Sequence, residues 1–383
     1  MKLNHIYKSI ACGVLLALTA TSCDLDYNPV DSYSDVTEGV DKTDEKPIFN
    51  SVQDVETSMV TLHKKFRDQQ EHWYVDKLLI GDAHSDNAYA GTTGAEVVPY
   101  ETNSIEGSNS VLKRDWDRFL GDIAEANRII VGCEQLKALS DSERGKYQSQ
   151  AKIFRAMVMF DMVRLWGNFP VITTVGGDIT EDNVEEMYPT YFPPQNTAEE
   201  AYAQIEKDLT EAVENPNTPT NDASDKSILT KSVARAMLAK VYAEKPLRDY
   251  AKVIKYADEL AADGFDLVED FSDLWAYDTE KKDCRVRNTK EAILEAHFPP
   301  GSGNWCTWMF GRNLSNWDES FTWAKWITPS RDLIRLYEEQ GDTKRYNESV
   351  VWYECGWSNY YPADHYALSL IHISEPTRLA LIS

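Results

Sequence analysis

Basic residues are the scarce ones in this 383-residue chain: 39 Lys and Arg stand against 63 Asp and Glu, for a formal net charge of −24. That balance argues against nucleic acid as a partner, because phosphate recognition needs a footprint of Lys and Arg. Cysteine is sparse too. There are six and none forms a CxxC pair, so the spacing argues against zinc. After Cys23 no stretch approaches the roughly 20 consecutive apolar residues of a membrane helix. His63, His72, His84, His297 and His365 sit in no HExxH or Ser/His/Asp setting, and there is neither GxSxG nor a phosphate loop. What is present, 42% hydrophobic and 11% aromatic residues, suffices for a substantial core, so the chain is globular rather than disordered.

Residues 1–22 have the layout of an export signal: Lys2 and Lys8, the apolar run Ile10 to Leu18, then small residues. The signal ends in Ala20-Thr21-Ser22-Cys23, which resembles a bacterial lipobox, with Cys23 the residue that is acylated and becomes the first of the mature chain. Ordinary secretory cleavage, leaving Cys23 as an incidental thiol, is the alternative. Acyl chains on Cys23 would anchor a protein that has no other membrane segment. Cys12 leaves with the signal. Cys133, Cys284, Cys306 and Cys355 remain, and their disulfide state cannot be read from spacing. Residues 23–50, acidic and polar with Asn28-Pro29, read as an extended tether.

From residue 51 a helical period takes over. Ser51 and Asp54 look like a cap, with Val52, Val55, Met59, Leu62 and Phe66 on one face. Trp116, Phe119, Ile123, Ala126 and Ile130 repeat the pattern. Ser140 with Glu143 and Thr197 with Glu200 open two more helices, with inner faces at Tyr147, Ala151, Phe154 and Val158, and at Tyr202, Ile205, Leu209 and Val213. A run from Thr230 to Pro246 and a partner from about Asp249 to Gly264 form a hairpin, with Leu238, Ala239 and Tyr242 facing Tyr250, Ala251 and Ala257. That hairpin resembles a tetratricopeptide unit, and repeated pairs would make a short solenoid. Glu291 to Phe298 reads as a short strand, and Thr328-Pro329 as the start of a helix ending at Gly341. The expected architecture is mainly α, a tetratricopeptide-like helical-hairpin scaffold with a loop-rich, aromatic-rich insertion.

Four blocks of residues then resemble a known family in its order. They are Trp116 to Asn127 (WDRFLGDIAEAN), Arg155 to Pro170 (RAMVMFDMVRLWGNFP), Thr230 to Tyr242 (TKSVARAMLAKVY), and the weaker Glu291 to Glu295 with Gly341-Asp342. Together with the lipobox they resemble the SusD/RagB nutrient-binding lipoproteins of Bacteroidetes. Asp24 and Asp26, just after Cys23, look like the surface-export signals of such lipoproteins. The resemblance implies a SusD-like fold on the outer surface of the outer membrane, anchored by lipid. It also implies an oligosaccharide or peptide ligand, a SusC-like TonB-dependent transporter as partner, and no catalysis. In the second block Gly167 and Pro170 make a helix stop whose role is read as architectural rather than ligand-binding.

Seven large aromatics fall within 22 residues, among them Trp305, Trp308, Trp317 and Trp323. Sugar rings stack their C–H faces on such rings, while hydroxyls need polar neighbours, which Asn304, Arg312, Asn313 and Asp318 supply. The competing reading is that these rings fill a core beneath the insertion. A second candidate is the polar run Asp82, Asp86, Asn87 and Tyr89, which lacks the calcium-loop pattern. No metal or cofactor is expected. An all-α glycosidase or lyase would need two carboxylates across a sugar cleft, which the plentiful acids leave open. A protein-binding helical-repeat adaptor is the third reading. Leu368 to Arg378 (LSLIHISEPTR) looks like a translated sequencing adapter, so residues 51–367 are expected to be an incomplete SusD-like domain and 368–383 an artefact.

Overall fold

The computed structural model describes residues 47–90, 95–177, 179, 183–244, 246–274, 277–278, 280, 283–298, 327–350, 355–356 and 366–367. The first long helix, α1 (Val52–Asp68), begins at a reciprocal cap: Ser51 Oγ accepts the Asp54 N–H at 3.3 Å and Asp54 Oδ2 accepts the Ser51 N–H at 3.0 Å. Val55, Met59, Leu62 and Phe66 are buried on the face the spacing indicated. Next come a short α2 (Asp76–Leu78) between two widened π turns, strand β1 (Ala88–Ala90) and α3 (Val98–Glu101). The long pair α4 (Ser110–Gln135) and α5 (Asp141–Trp166) follows, then α6 (Val184–Tyr191), α7 (Ala198–Glu214), α8 (Lys231–Ala243) and α9 (Tyr250–Ala262).

Packing runs in chain order. Helix α4 lies against α5, α5 against α7, α7 against α8 and α8 against α9, while α1 covers α4. Among them α5 is buried on nearly every side, through Tyr147, Ala151, Phe154, Val158, Met159 and Met162, and its buried polar residues include Arg155. Phe154, Val158, Met159 and Met162 each contribute about 1.5–3 kcal/mol on burial. Both later capping boxes, Ser140 with Glu143 and Thr197 with Glu200, form as their sequences indicate. The α5 helix stops at Gly167, whose φ of 71° and ψ of −83° let the Asn168 N–H bond the Trp166 carbonyl two residues back at 2.9 Å, a γ-turn with positive φ.

Two family blocks meet inside this stack. Arg155 grips Asp208 of α7 through Nε at 2.8 Å and Nη2 at 2.6 Å, and its Nη1 donates to Asn127 Oδ1 at 2.7 Å. The amide of Asn127 then holds the chain beyond the helix stop, donating to the carbonyls of Ile172 at 2.9 Å and Thr174 at 3.2 Å. All three side chains are buried.

Three details depart from the sequence reading. In the α8–α9 hairpin Tyr250, Ala251 and Ala257 face outward, and Tyr256 supplies the buried contact instead. The cause is Tyr242, whose ring stacks on Tyr256 at 6.1 Å and 3°, and so sets the rotation of α9. Residues 291–298 form no strand. They run as turns and irregular chain, with the Glu295 N–H on the Lys226 carbonyl at 2.8 Å and Ile293, Leu294 and Ala296 against the core. Finally, Thr328-Pro329 does not start a helix. It belongs to strand β2 (Ile327–Pro329), and α10 (Arg331–Gln340) starts one residue after, capped by Ser330 Oγ on the Leu333 N–H at 3.1 Å. Gly341 ends α10 in the left-handed conformation, and α11 (Thr343–Ser349) follows.

Candidate functional site

Between α1 and β1 the backbone is unusual. Glu71–Val75 and Leu79–Ala83 are π turns on either side of α2, and the His84 N–H reaches back five residues to the Leu79 carbonyl at 3.1 Å. Widened turns of this kind are rare and frequently occur at functional sites. Polar groups on α4 hold the segment in place. Asp122 accepts from His72 Nε2 at 2.9 Å and from Lys65 Nζ at 2.7 Å, with both the histidine and the aspartate buried. Arg118 makes a two-pronged pair with Glu71 at 2.6 and 3.3 Å. Burial opposes ionisation of Glu71, but the hydrogen bonds from Arg118 and the Arg118 and Arg114 charges outweigh it and hold the carboxyl below its ordinary value.

Beside them Arg114 Nη2 donates to Asp76 Oδ2, and Asp115 lies next to Asp76. Both carboxyls are buried, and the Oδ1 of each accepts no hydrogen bond, although Arg114 Nε lies 3.8 Å from that of Asp115. Burial first, then the charge and hydrogen bond of Asp76, push the Asp115 carboxyl up to about 9. Asp115 is thus the acid of this pair that is held protonated, beside the Arg114–Asp76 ion pair. This pair borders a small core of Leu79, Ala83, Ala88, Val97, Tyr100 and Val111, the base under the polar run.

The run itself falls on one turn and one strand. Asp82 is half-buried in the last π turn, and burial pushes its carboxyl upward. Asp86 and Asn87 are exposed, and their carbonyls accept from Ser330 Oγ and, at 2.9 Å, from the Ser330 N–H. Tyr89 pairs with Thr328 in the antiparallel β1–β2 ladder, and its hydroxyl accepts the Arg331 N–H at 3.4 Å.

Asn304, Trp305, Trp308, Arg312, Asn313, Trp317, Asp318 and Trp323 lie outside the described residues, as does Cys23. The residues flanking that segment are described, and both attach to the same stretch. Ile327 pairs with Ala90. At the other end the Phe298 ring packs on Tyr74 at 6.4 Å, and its carbonyl accepts from Arg287 Nη2 at 3.2 Å. The structure therefore brings Asp82, Asp86, Asn87 and Tyr89 beside the C-terminal flank of the aromatic segment.

A separate recess of about 740 Å³ opens between α1 and α5, with Met59, Phe66 and Tyr147 on its floor. His63 in its wall is bonded to Gln150 at 3.1 Å, and burial pushes its pKa down. Cys133 is a buried free thiol that burial raises to about 12. Sequence reasoning missed Asp76, Asp115, Asp122 and Asp208. The last three occupy inward positions of amphipathic helices, where an acid among Phe119, Ile123 and Ala126, or among Ile205, Leu209 and Ala212, signals a buried partner. Among the described residues no helix is long and apolar enough to cross a membrane.

Comparison with known proteins agrees with this architecture. A SusD-like family model, described as "Starch-binding associating with outer membrane", matches residues 31–243, more than half of the chain. A SusD-like protein of Bacteroides ovatus is 25% identical over 309 residues, covering 77% of this chain and 50% of its own, so the chain spans about half the length of that curated relative. Among solved structures, a SusD superfamily protein from Bacteroides vulgatus is similar at a TM-score of 0.62, with 16% identity over 82% of this chain and 64% of that one. Another from Bacteroides thetaiotaomicron has a TM-score of 0.58, with 18% identity over 75% of this chain and 61% of that one. Surface glycan-binding protein A from Bacteroides fluxus has a TM-score of 0.53, with 20% identity over 67% of this chain and 52% of that one. At these identities the structures speak for the fold, which is the expected tetratricopeptide-like helical stack. With the family model spanning both Asn127 and Arg155, the chain belongs to the SusD-like family.

Proposed function

We propose that this protein captures nutrient oligosaccharides at the outer face of the outer membrane, leaves them chemically unchanged, and delivers them to a SusC-like TonB-dependent transporter. The observation that carries the reading is the tethering of both flanks of residues 299–326 to the stretch 71–90. Phe298 packs on Tyr74 and Ile327 pairs with Ala90, so the two described flanks of the aromatic-rich segment attach to the stretch that carries Asp82, Asp86, Asn87 and Tyr89. Stacking rings beside hydrogen-bonding side chains suit a sugar. The description of the family as starch-binding and associated with the outer membrane supports the same ligand class and place. In this reading Cys23 carries the lipid anchor.

The test is binding of glycans to the purified full-length protein, with Trp305→Ala, Trp308→Ala, Trp317→Ala and Trp323→Ala measured for affinity and melting together. A stacking ring contributes about 0.5–1.5 kcal/mol beyond area burial, so its loss weakens binding several-fold with little change in melting. A tryptophan that serves the core lowers stability by about 3–5 kcal/mol instead. Four variants of the second kind, all with unchanged affinity, would move the ligand to Asp82–Tyr89. Binding of peptides in preference to every glycan would change the ligand class. Recovery from mild detergent as a lone lipoprotein would remove the transporter from the proposal.

A further inference from the structure

Helix α9 closes the run of packed helices, and the face it turns away from α8 is apolar. Tyr250 is 58% exposed and Ile254 is 62% exposed, with Ala257 and Ala261 exposed on the same side. The four follow one another at intervals of four, three and four residues, which is the spacing of a single stripe along a helix. The fold's own contact lies on the opposite side, through Tyr256 buried against Tyr242. A helical stack normally ends in a polar outer face, because a terminal repeat has no neighbour to cover it. Here the last helix carries an apolar stripe on its outside as well.

The order of large and small side chains says what fits the stripe. Read from its N-terminal end it runs Tyr, Ile, Ala, Ala. A second α9 laid against it antiparallel, about a two-fold axis passing between Lys255 and Tyr256, runs Ala, Ala, Ile, Tyr. Tyr250 then lies opposite the second copy's Ala261, and Ile254 opposite the second copy's Ala257. Each bulky side chain meets an alanine, and the same pairs recur across the axis, as a self-complementary contact requires. A parallel alignment sets Tyr250 on Tyr250 and Ala261 on Ala261 instead, which overfills one end and leaves a gap at the other.

Charge agrees with the same alignment. Lys255 and Asp258 flank the stripe on one side and both are exposed, the lysine 3.8 Å from Glu259 of its own helix. The two-fold axis sets this flank of one helix beside the same flank of the other. Lys255 then stands two residues along the axis from the second copy's Asp258, about 3 Å at about 1.5 Å per residue, and two Lys–Asp pairs form by symmetry. One lysine with one aspartate offers no net attraction to anionic lipid, which takes helices with a basic polar face. We infer that the outward face of α9 is a self-association surface, on which a second copy of this protein docks its own α9 antiparallel. The helix has 13 residues. At that length, roughly 20 Å, it covers less than the roughly 800 Å² per partner of a stable interface, so the dimer is weak and reversible. The formal net charge of −24 opposes association. Salt at about 0.1 M confines that repulsion to about 10 Å.

The experiment follows the sedimentation of purified full-length protein over a rising concentration series in about 0.1 M salt. Wild type should pass reversibly from monomer to dimer. Ile254→Glu should weaken the dimer on the order of tenfold or more, with melting unchanged because the side chain is exposed. Lys255→Glu alone and Asp258→Lys alone should each weaken it several-fold, and the two together should restore it, because the exchanged charges still meet across the axis. A monomer throughout the series would overturn the inference. So would a dimer indifferent to Ile254→Glu, which would place the contact elsewhere. A double charge variant as weak as either single one would rule out the antiparallel alignment and the inference with it. A photo-crosslinking amino acid at Tyr250 in intact cells distinguishes the other occupants. Crosslinked dimers are expected, whereas crosslinks confined to the protein's own chain, or made only to a different protein, would overturn self-association.

Discussion

At the scale of single residues the chain is governed by buried acids and what neutralises them. Asp115 keeps its proton in the folded chain up to about pH 9 and loses it near pH 4 when unfolded. The folded state therefore binds more protons across that window, and this group's contribution makes stability fall as pH rises through it. Asp115→Asn removes the titration at nearly constant side-chain volume. Its melting temperature should decline less than that of wild type between about pH 5 and about pH 8, and parallel curves would assign the slope to other groups. Asp208 is the opposite case, gripped by two nitrogens of the Arg155 guanidinium. Asp208→Ala leaves a buried guanidinium with only Asn127, at a cost of about 3–5 kcal/mol in chemical denaturation, and a cost below about 1 kcal/mol would show that water or another acid takes over. Little of this was legible residue by residue. The Arg-Ala and Ala-Asn motifs were visible in the sequence, but the acid that Arg155 grips lies 53 residues beyond it, and only the fold brings Asn127, Arg155 and Asp208 together.

Secondary elements were more readable, because their signals are local. The caps at Ser51, Ser140 and Thr197 and the inward faces of α1, α5 and α7 follow from spacing, since one side chain answers a backbone N–H three residues on. The helix stop at Gly167 was equally plain, and it sets a prediction. Gly167→Ala must hold a φ of 71° with a Cβ, which costs on the order of 1–3 kcal/mol and should appear as a lower denaturation midpoint with an unchanged slope. An unchanged midpoint would mean that the γ-turn relaxes freely. Where reading failed, a distant partner was responsible. Thr328-Pro329 offered a good helix start, but pairing with Ala88 and Tyr89 drew those residues into a strand and passed the capping role to Ser330. The rotation of α9 was set by the Tyr242–Tyr256 stack, which no periodicity within α9 contains.

For the whole molecule, the helical stack could be anticipated because it is built from neighbours in sequence, each helix packing on the next. The candidate site could be anticipated only as two separate lists of residues, Asp82 to Tyr89 and Asn304 to Trp323, and what the fold adds is that Phe298 and Ile327, which bracket the second, attach to the stretch that carries the first. Attachment to the membrane belongs to this scale as well, and on the proposed reading it depends on Cys23 alone. An alkyne fatty acid should label wild type and not Cys23→Ser, and the variant should leave the membrane fraction. Continued membrane sedimentation of the unlabelled variant would point to a different anchor.

The bond from Ser330 Oγ to the Asp86 carbonyl joins positions 244 residues apart. Closing a loop of that length costs on the order of 5 kcal/mol in chain entropy, more than a three-residue ladder can offset alone. The ladder between Ala88–Ala90 and Ile327–Pro329 should therefore form last and open first, in local excursions that leave α4 and α5 intact. The Ser330 amide, bonded to the Asn87 carbonyl, should exchange with solvent faster than amides in the middle of α5. A sugar held beside this seam would bind only its closed form, so bound nutrient should slow that exchange by the same free energy with which the seam strengthens its grip.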